Sequence, residues 1–389
     1  MKPKKLLIAN RGEIAVRVIR ACRELGIRSV AVYSEADRES MHVSLADEAV
    51  CIGPAFARES YLRFDAVLGA AKITGAQAIH PGYGFLSENA AFAAACVERG
   101  LVFVGPPAEA IRRLGHKMAA KELALASEVP VVPGTKGCLD DGQSQGAALL
   151  RQAEAIGFPL MVKAAAGGGG KGLRLVREPG GLEKELRTAQ TEAKAAFGDG
   201  SVYIEKFIEH PRHVEIQLAA DLHGGAVALP ERDCTVQRRH QKLIEESPSP
   251  AVPPETRRAM QEAACRLARE ARYSNVGTVE FLLDTDGRFY FIEVNTRLQV
   301  EHPVTELVTG LDLFNEQIAL AAGERLSFSP ERAREPRAHA IEHRINAEDP
   351  ARGFAPCPGL VDGVVFPGGA GVRFDTSLYS GYTVPSYYD

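Results

Sequence analysis

The chain has 389 residues, of which 45% are hydrophobic and 25% charged, and its formal net charge is −4. This composition is typical of a globular protein, and the length predicts two or three domains. The small negative charge argues against a nucleic acid or an anionic membrane surface as a partner bound by electrostatics. The sequence contains no apolar run that approaches the roughly 18 residues of a membrane-spanning helix.

The N-terminus leads directly from Met1–Lys5 into the apolar segment Leu6–Ala9. That segment is too short for the core of a signal peptide, and it follows no long Arg- and Ser-rich transit segment. The seven cysteines are scattered and form no Cys-x-x-Cys pair. We therefore expect free thiols in a reducing, cytoplasmic environment rather than a disulfide framework or a zinc site.

Up to about residue 113 the sequence alternates between strand and helix patterns. The expected elements are a strand at Leu6–Ala9, a helix at Glu13–Leu25 ended by Gly26, a strand at Ser29–Tyr33, a strand and glycine-rich turn at Ala78–Phe85, a helix from Ser87 to about Arg99 and a strand at Val102–Gly105. This alternation predicts a parallel sheet with helices on both faces. The turn Asn10–Gly12 lacks the Gly-x-Gly-x-x-Gly pattern, so a dinucleotide site is a poor interpretation.

Residues 140–204 predict a smaller module, and an antiparallel region follows it. In the module we expect helices at Ala147–Ile156 and Leu182–Phe197 and strands at Pro159–Lys163 and Leu173–Val176. Beyond it we expect strands near 202–208, 213–220 and 226–229, helices near 254–272 and 312–322, and a strand-like, turn-rich segment at 338–389.

A glycine-rich loop, Gly167–Gly172, lies between two predicted strands of this module. Its glycines allow close approach to a ligand, and its N–H groups can bind phosphate. It is not a Walker A loop, because Lys171 is followed by Gly172 rather than by Ser or Thr. A β-loop-β flap over ATP phosphates fits better, and the alternative is a flexible surface hairpin. A protein kinase is excluded because the chain has no Asp-Phe-Gly and no His-Arg-Asp sequence.

Two glutamates, Glu280 and Glu293, flank an Asp-Gly turn in a segment that predicts a β-hairpin. With Leu283 paired to Arg288, Glu280 faces Phe291, and Glu293 is its diagonal neighbour at about 7–8 Å along the backbone. Carboxylates this close repel one another unless a cation lies between them. We therefore expect an oxygen-ligand site for Mg²⁺ that carries a nucleotide; the alternative is the polar outer face of an ordinary hairpin.

Two further polar segments are candidates for anion binding. Arg238–Lys242 holds three cations and a histidine in five residues, and acidic residues flank it on both sides. In Arg297–Glu301, the arginine could hold bicarbonate with two hydrogen bonds and the glutamate could take its proton. The alternatives are a solvated charged face for the first segment and a helix-entry loop for the second.

Taken together, these segments resemble biotin carboxylase, a family of the ATP-grasp superfamily, over essentially the whole chain. The segments that carry the resemblance are Ile8–Ala15, His80–Asn89, the glycine loop, Glu231–Cys234, Arg238–Lys242, Glu293–Glu306 and Arg344–Asp349. The fold class that it implies is mixed α/β and α+β: a parallel-sheet N-terminal domain at 1–113, an ATP-grasp domain at 114–334 with a mobile lid at 135–204, and a mixed-β C-terminal subdomain at 335–389. We expect this last subdomain to be incomplete.

The resemblance also implies the roles of individual residues. The expected metal ligands are Glu280, Glu293 and Asn295. The expected nucleotide contacts are Lys117, Lys163, Gly169, Gly170, Glu205, Lys206, Phe207, Ile208, His213, Gln237 and His240. The bicarbonate pocket is expected to comprise Lys242, Arg297, Gln299 and Val300, with Glu301 as the base and Arg344 as the residue that stabilises the biotin enolate.

The reaction implied is the carboxylation of biotin on a carrier protein or domain, with ATP, Mg²⁺ (or Mn²⁺) and bicarbonate, through carboxyphosphate. It is the first half-reaction of a biotin-dependent carboxylase. The resemblance implies a carboxyltransferase component as partner and a homodimer or larger complex, with Arg20 and Glu24 on the contact helix. Two alternatives stay open: a nucleotide-binding fragment without turnover, and another ATP-grasp ligase.

Overall fold

A computed structural model describes residues 2–135, 138–139, 146–165 and 173–388 of the protein. The elements of its N-terminal part are β1 (Lys5–Ile8), α1 (Gly12–Leu25), β2 (Arg28–Tyr33), α2 (Met41–Leu45), β3 (Glu48–Cys51), α3 (Phe64–Thr74), β4 (Ala78–His80), α4 (Ala90–Glu98), β5 (Val102–Phe103) and α5 (Ala108–Gly115). The strands pair in parallel in the order β3-β2-β1-β4-β5, which confirms the predicted parallel sheet.

The apolar residues of β1 explain why helices cover both faces of this sheet. Leu6 and Ile8 pack with α1 in one core, whereas Leu7 packs with α3 and α4 in another. A strand buried on both faces has to be apolar throughout rather than alternating. Helix α1 ends at Gly26, whose φ of 68° is the left-handed conformation that glycine adopts without a steric penalty.

The next part of the chain holds a small antiparallel sheet. Its elements are α6 (Lys117–Ala126), α7 (Gly146–Ile156), β6 (Leu160–Ala164), β7 (Leu173–Val176), α8 (Leu182–Phe197) and β8 (Val202–Lys206), with the strand order β7-β6-β8. The helices and strands predicted between residues 147 and 197 match these bounds to within one residue. The glycine loop at 167–172 lies outside the described residues.

A six-stranded antiparallel sheet forms the centre of the molecule. Its part of the chain comprises β9 (Arg212–Ala220), β10 (Ala226–Arg238), β11 (Gln241–Ser247), α9 (Pro254–Glu270), β12 (Asn275–Leu283), β13 (Phe289–Asn295), α10 (His302–Thr309), α11 (Leu313–Ala321), α12 (Pro330–Ala333) and β14 (Ala340–His343). The strand order is β13-β12-β9-β10-β11-β14.

The two faces of this sheet have different chemistry because strand residues alternate between them. Val214 and Ile216 of β9 and Phe281 of β12 pack in the core with α9. Glu215 of β9 and Glu280 of β12 lie between these positions in sequence and project to the opposite face. The apolar alternation therefore aligns the intervening polar residues on one surface.

The structure corrects two sequence-based expectations in this sheet. Leu283 pairs with Phe289 rather than with Arg288, and an irregularity between Glu280 and Phe281 then brings Glu280 directly opposite Glu293. The predicted diagonal arrangement, with Glu280 facing Phe291, is wrong because the sequence does not reveal a bulge. The strand expected at 226–229 extends to Arg238, and β11 was not expected.

The C-terminal part beyond β14 is turn-rich, as predicted. Its strands are β15 (Glu348–Asp349), β16 (Ala355–Pro356), β17 (Gly359–Leu360) and β18 (Thr383–Val384), which form two separate two-stranded sheets. Among the helices that the structure describes, none is both long and apolar enough to cross a membrane.

Candidate active site

A row of four charged residues crosses the polar face of the central sheet. Arg232 of β10 is opposite Glu215 of β9, Glu215 is opposite Glu280 of β12, and Glu280 is opposite Glu293 of β13. Three neighbouring strands thus present a carboxylate at the same level. Like charges directly opposite one another destabilise a sheet unless cations offset them.

Lys242 of β11 supplies one of these cations. Its Nζ donates hydrogen bonds to Glu215 at 2.6 Å, Glu280 at 3.0 Å and Glu301 at 2.7 Å. An ammonium group has three donors, and here each one meets a carboxylate. Burial alone would lower the pKa of Lys242, but the three glutamates raise it well above its usual value, so this side chain stays charged.

Arg232 is the other cation, and its side chain is fully buried. It donates to Glu215 Oε1 at 2.5 Å, Gln217 Oε1 at 2.6 Å, Thr305 Oγ1 at 2.9 Å, Thr278 Oγ1 at 3.1 Å and Gln299 Oε1 at 2.9 Å. All five N–H groups of the guanidinium therefore have an acceptor. Because the bond to Gln299 uses that side chain's oxygen, the amide nitrogen of Gln299 is directed to Glu280, at 2.8 Å.

Glu280 is the most heavily coordinated carboxylate of the row. Besides Lys242 and Gln299 it binds His213 Nε2 at 2.8 Å and Asn295 Nδ2 at 2.8 Å. Burial would raise the pKa of Glu280, but the hydrogen bond from His213 and the charge of Lys242 hold it far below its usual value. Glu280 is therefore ionised at neutral pH.

His213 is oriented by Gln237. The amide nitrogen of Gln237 donates to the carbonyl of Cys234 at 2.8 Å and to Nδ1 of His213 at 2.8 Å. Since Nδ1 accepts, Nε2 carries the proton that faces Glu280. His213 thus acts as a hydrogen-bond donor to the row even in its neutral form.

Glu293, at the end of the row, has a different electrostatic environment. Burial and the neighbouring charge of Glu280 raise its pKa, and Lys117 at the start of α6 offsets part of this shift. A raised pKa means that the carboxylate form of Glu293 is destabilised until further positive charge arrives. With Asn295 beside Glu280, the row offers the oxygen donors that Mg²⁺ prefers. These residues therefore fit a divalent ion.

The loop between β13 and α10 carries the predicted anion-binding residues. Arg297 donates to Glu88 Oε2 at 2.8 Å and to Asn295 Oδ1 at 3.0 Å. Glu88 also accepts a hydrogen bond from the backbone N–H of Thr296 at 3.1 Å. A side chain of the N-terminal part thus fixes this loop. Val300 lies between Gln299 and Glu301, and its carbonyl is 3.1 Å from Nδ1 of His302.

Glu301 connects this loop to the last strand of the sheet. Its side chain is buried, with Oε1 bound to Lys242 at 2.7 Å and Oε2 bound to Arg344 at 2.9 Å. Arg344 follows β14 directly and also donates from Nε to Glu245 of β11 at 2.7 Å. The predicted base and the predicted biotin-binding residue are therefore in direct contact.

The predicted nucleotide residues outside the large sheet lie around the small one. Glu205 of β8 binds Lys163 at 2.7 Å and Lys121 at 2.8 Å. Burial would raise the pKa of Glu205, but the two lysines lower it. Lys206 binds instead to the carbonyls of Gly157 and Phe158.

Three other predicted nucleotide residues have different surroundings. The backbone N–H of Phe207 donates to Pro159 at 3.0 Å, and Ile208 packs in a small apolar cluster. His240 is exposed in the turn between β10 and β11 with a φ of 66°. Gly169 and Gly170 fall in the part of the chain that the structure does not describe.

The structure also reveals residues that the sequence did not identify as part of the site. These are Glu88, Lys121, Glu215 and Arg232. Arg232 stands in the segment Glu231–Cys234, which carried the resemblance but suggested no role. For Glu215 the available signal was the alternation of β9. Glu215 stands between Val214 and Ile216, so it must face the surface opposite to theirs.

Comparison with known proteins places these features in a family. Residues 2–111 match the model "Biotin carboxylase, N-terminal domain", residues 116–329 match "Carbamoyl-phosphate synthase L chain, ATP binding domain", and residues 342–389 match "Biotin carboxylase C-terminal domain". A biotin carboxylase of Nostoc sp. is 54% identical over 389 residues, which cover 100% of this chain and 86% of that protein.

Solved structures agree with this match. A biotin carboxylase–beta-gamma-ATP complex from Campylobacter jejuni has a TM-score of 0.93 and 45% identity, over 100% of this chain and 85% of that one. The biotin carboxylase domain dimer of 2-oxoglutarate carboxylase from Hydrogenobacter thermophilus, in complex with MgADP, ADP and bicarbonate, has a TM-score of 0.91 and 46% identity. That match covers 100% of this chain and 84% of the other.

Proposed function

The chain belongs to the biotin carboxylase family, and from that membership we propose that the charged row and the Arg297–Glu301 loop form its catalytic site. The protein is an ATP-dependent ligase. It carboxylates biotin carried on a protein, with bicarbonate as the carbon source, and this is the first half-reaction of a biotin-dependent carboxylase. The roles that we assign to its individual residues are our proposal.

Glu280, Glu293 and Asn295 would hold the Mg²⁺ or Mn²⁺ ion. The supporting observation is that Glu280 and Glu293 are directly opposed, while Lys242 compensates Glu280 and not Glu293 among the contacts described. When bound, the ion supplies positive charge to the phosphoryl oxygens.

We assign binding of the nucleotide to residues on both sides of this row. The positive charge of Lys117 lowers the pKa of Glu293, so the two side chains are near each other. Lys163 precedes the glycine loop of Gly169 and Gly170 by a few residues. Glu205 holds Lys163 in place. The remaining contacts that we propose for ATP are Lys206, Phe207, Ile208, His213, Gln237 and His240.

We assign bicarbonate to Lys242, Arg297, Gln299 and Val300, with Glu301 as the residue that takes its proton. Glu301 is buried, and its two oxygens bind Lys242 and Arg344, which fix its orientation. A charged acceptor that is held in place in this way can remove a proton despite being a weak base in water. Arg344 would stabilise the enolate form of biotin, since its guanidinium is permanently charged.

We propose three segments for the domain organisation: 1–113, 114–334 with a lid at 135–204, and 335–389. The partners that we propose are a biotin carboxyl carrier, a carboxyltransferase component and a second copy of the chain. Arg20 and Glu24 lie on α1, which supports the dimer proposal because each is at least partly exposed to solvent. We further propose a cytoplasmic location, in line with the free, buried cysteines Cys22, Cys96 and Cys265.

One observation carries the site proposal: Lys242 connects the metal-binding carboxylate Glu280 to the proposed base Glu301. Nucleotide and bicarbonate would thus meet around a single ammonium group. The test is to incubate the purified chain with ATP, Mg²⁺ and radiolabelled bicarbonate, with and without free biotin. ADP release that requires bicarbonate and label transfer to biotin are the expected results. The proposal would be overturned if the chain bound ATP but showed neither bicarbonate-dependent ADP release nor label transfer. It would also be overturned if ATP turnover were the same with and without biotin.

A further inference from the structure

Two glutamates next to Arg344 face one another at the edge of the central sheet. Glu245 of β11 and Glu342 of β14 are directly paired residues on antiparallel strands. Their side chains therefore lie on the same face of the sheet, the face that also carries Arg344 two residues after Glu342. Directly opposed carboxylates are destabilising when both are ionised.

Each of these glutamates has one oxygen without a hydrogen-bond partner. Glu245 is fully buried and uses Oε1 to accept from Arg344 at 2.7 Å, whereas its Oε2 is buried and unpaired. Oε2 of Glu342 is likewise buried and unpaired. Buried polar atoms in native proteins are almost always satisfied. Two carboxylates contain no donor, so a proton on one of them supplies the hydrogen bond that is lacking.

The charges around the pair point in the same direction. A connected set of ion pairs runs from Arg232 through Glu215 to Lys242, and from Lys242 through Glu301 and Arg344 to Glu245. Together with Glu280 and Glu342, these ion pairs contain three permanent cations and five carboxyl groups. A neutral Glu342 brings the two totals closer.

The charged groups that face the pair come from four elements. They are Arg344 after β14, Glu301 at the start of α10, Glu215 of β9 and Arg232 of β10. The rest of α10 packs on β14 through Val304 and Val308, which carry no charge. Arg344 also offsets part of the burial that raises the pKa of Glu13, on α1, to about 8.

The acid–base behaviour of the pair is consistent with this environment. Burial raises the pKa of Glu245 to about 7; Arg344 opposes this shift and the charge of Glu301 adds to it. Burial and then the charge of Glu245 raise the pKa of Glu342 to about 9. Between these two values the pair holds one proton.

We propose that Glu245 and Glu342 share one proton at neutral pH, and that this proton positions Arg344 against Glu301. The inference rests on the proposed function, because it deepens the role assigned to Arg344. With the proton in place, the pair of Glu245 and Glu342 carries one negative charge in total. Arg344 then donates one hydrogen bond to Glu245 and one to Glu301. Once the proton is lost, the second negative charge draws the guanidinium toward the pair and lowers the positive potential available to biotin.

The first measurement detects the proton itself. Infrared spectra of the full chain, recorded from below pH 7 to above pH 9, should contain the carbonyl band of a protonated carboxyl that persists where ordinary glutamates are ionised. Spectra of E342Q and of E245Q should each lack one such band relative to the parent. E246Q is the matched control, because Glu246 is on the same strand, is partly exposed and is 3.4 Å from His339; it should retain the band.

The second measurement follows the consequence for Arg344. We expect the ratio of biotin carboxylation to bicarbonate-dependent ATP cleavage to fall as the pH rises through about 9 in the parent and in E246Q. In E342Q the amide donates a hydrogen bond at every pH, so the ratio should lose this alkaline decline. In E342A the donor is missing, and the ratio should be lower by about tenfold across the range, as expected for a lost hydrogen bond to a charged group.

The two measurements fail in distinguishable ways. If the parent transfers no carboxyl group to biotin, the proposed function is wrong, and the infrared difference still decides whether the proton is present. If E342Q retains the alkaline decline, or its spectrum retains the band, the shared proton is ruled out while the proposed function stands. Neither result depends on E342A, the variant whose fold is most easily disrupted.

Discussion

Glu280 lies directly opposite Glu293 on the adjacent strand, and the irregularity beside Glu280 is what creates this register. Without that irregularity, the pairing of Phe281 with Phe291 would have continued with Ile292 opposite Glu280 and left Glu293 out of register with it. The backbone thus brings together two charges that Lys242 compensates at one end of the pair.

Glu293→Gln should abolish most metal-dependent ATP turnover and preserve the fold. The substitution removes a ligand charge and also the repulsion that raises the pKa of Glu293, so the metal-free protein should melt at the same temperature or higher. Affinity for Mg²⁺ should fall on the order of 10- to 100-fold or more. Titration of the ATPase with Mg²⁺ measures this, with Asp286→Asn at the exposed turn of the same hairpin as control. Unchanged Mg²⁺ affinity would contradict the assignment.

Arg344→Ala should separate the two stages of the reaction. Because Lys242 still binds Oε1 of Glu301 when Arg344 is removed, bicarbonate-dependent ATP cleavage should persist better than biotin carboxylation. Arg344→Lys is the matched variant: it keeps the charge but cannot bind Glu245 and Glu301 with a planar fork, so we expect intermediate carboxylation. Equal losses in both activities would count against a role toward biotin.

Arg232→Ala should unfold the site. The change removes one of the two cations that bind the buried Glu215 and leaves only Lys242, which Glu280 and Glu301 share; breaking a buried ion pair costs about 3–5 kcal/mol. Urea unfolding followed by circular dichroism measures the free energy. Arg288→Ala, at an exposed turn that ends on the same sheet, is the control and should leave the free energy of unfolding nearly unchanged. A small effect of Arg232→Ala would show that Lys242 alone compensates the row.

Acid should destabilise the protein through Glu215. Burial would raise its pKa, but Arg232 and Lys242 lower it to about 2, from an ordinary value of 4.5. A lowered pKa contributes stability that is present above pH 4.5 and is lost as the pH falls toward 2. Glu215→Gln should therefore be less stable at neutral pH and should lose stability less steeply across this interval. Urea titrations at a series of pH values compare the slopes, and parallel slopes would contradict the assignment.

Much of the fold was predictable because it rests on local pattern. Helix Leu182–Phe197 and strand Leu173–Val176 were predicted with their observed bounds, since apolar spacing and flanking glycines define them. The strand β11 was not, because Lys242, Glu245 and Glu246 interrupt the apolar pattern of Gln241–Ser247. Its burial depends on β14, which lies almost a hundred residues away in the chain.

The candidate site was only partly accessible from sequence for a similar reason. The two glutamates that flank a hairpin turn suggested a cation site, and the turn near Asp284 and Gly287 was a local signal. The register was not local, because a single irregularity shifts every pair beyond it. Arg232 is more instructive: an arginine within a strand gives no hint that five acceptors from two other strands, a loop and a helix surround it.

The link between Glu88 and Arg297 ties the integrity of one domain to the chemistry of another. Glu88 precedes α4 of the parallel-sheet domain, and it holds both the backbone at Thr296 and the guanidinium of Arg297. If the N-terminal domain loosens, Arg297 and the rest of the proposed bicarbonate pocket would therefore lose their fixed positions before the central sheet unfolds. Heating or a low concentration of denaturant should therefore abolish bicarbonate-dependent ATP cleavage while the protein still binds ATP. Loss of that activity would then report weakened contact between the two domains before the protein unfolds.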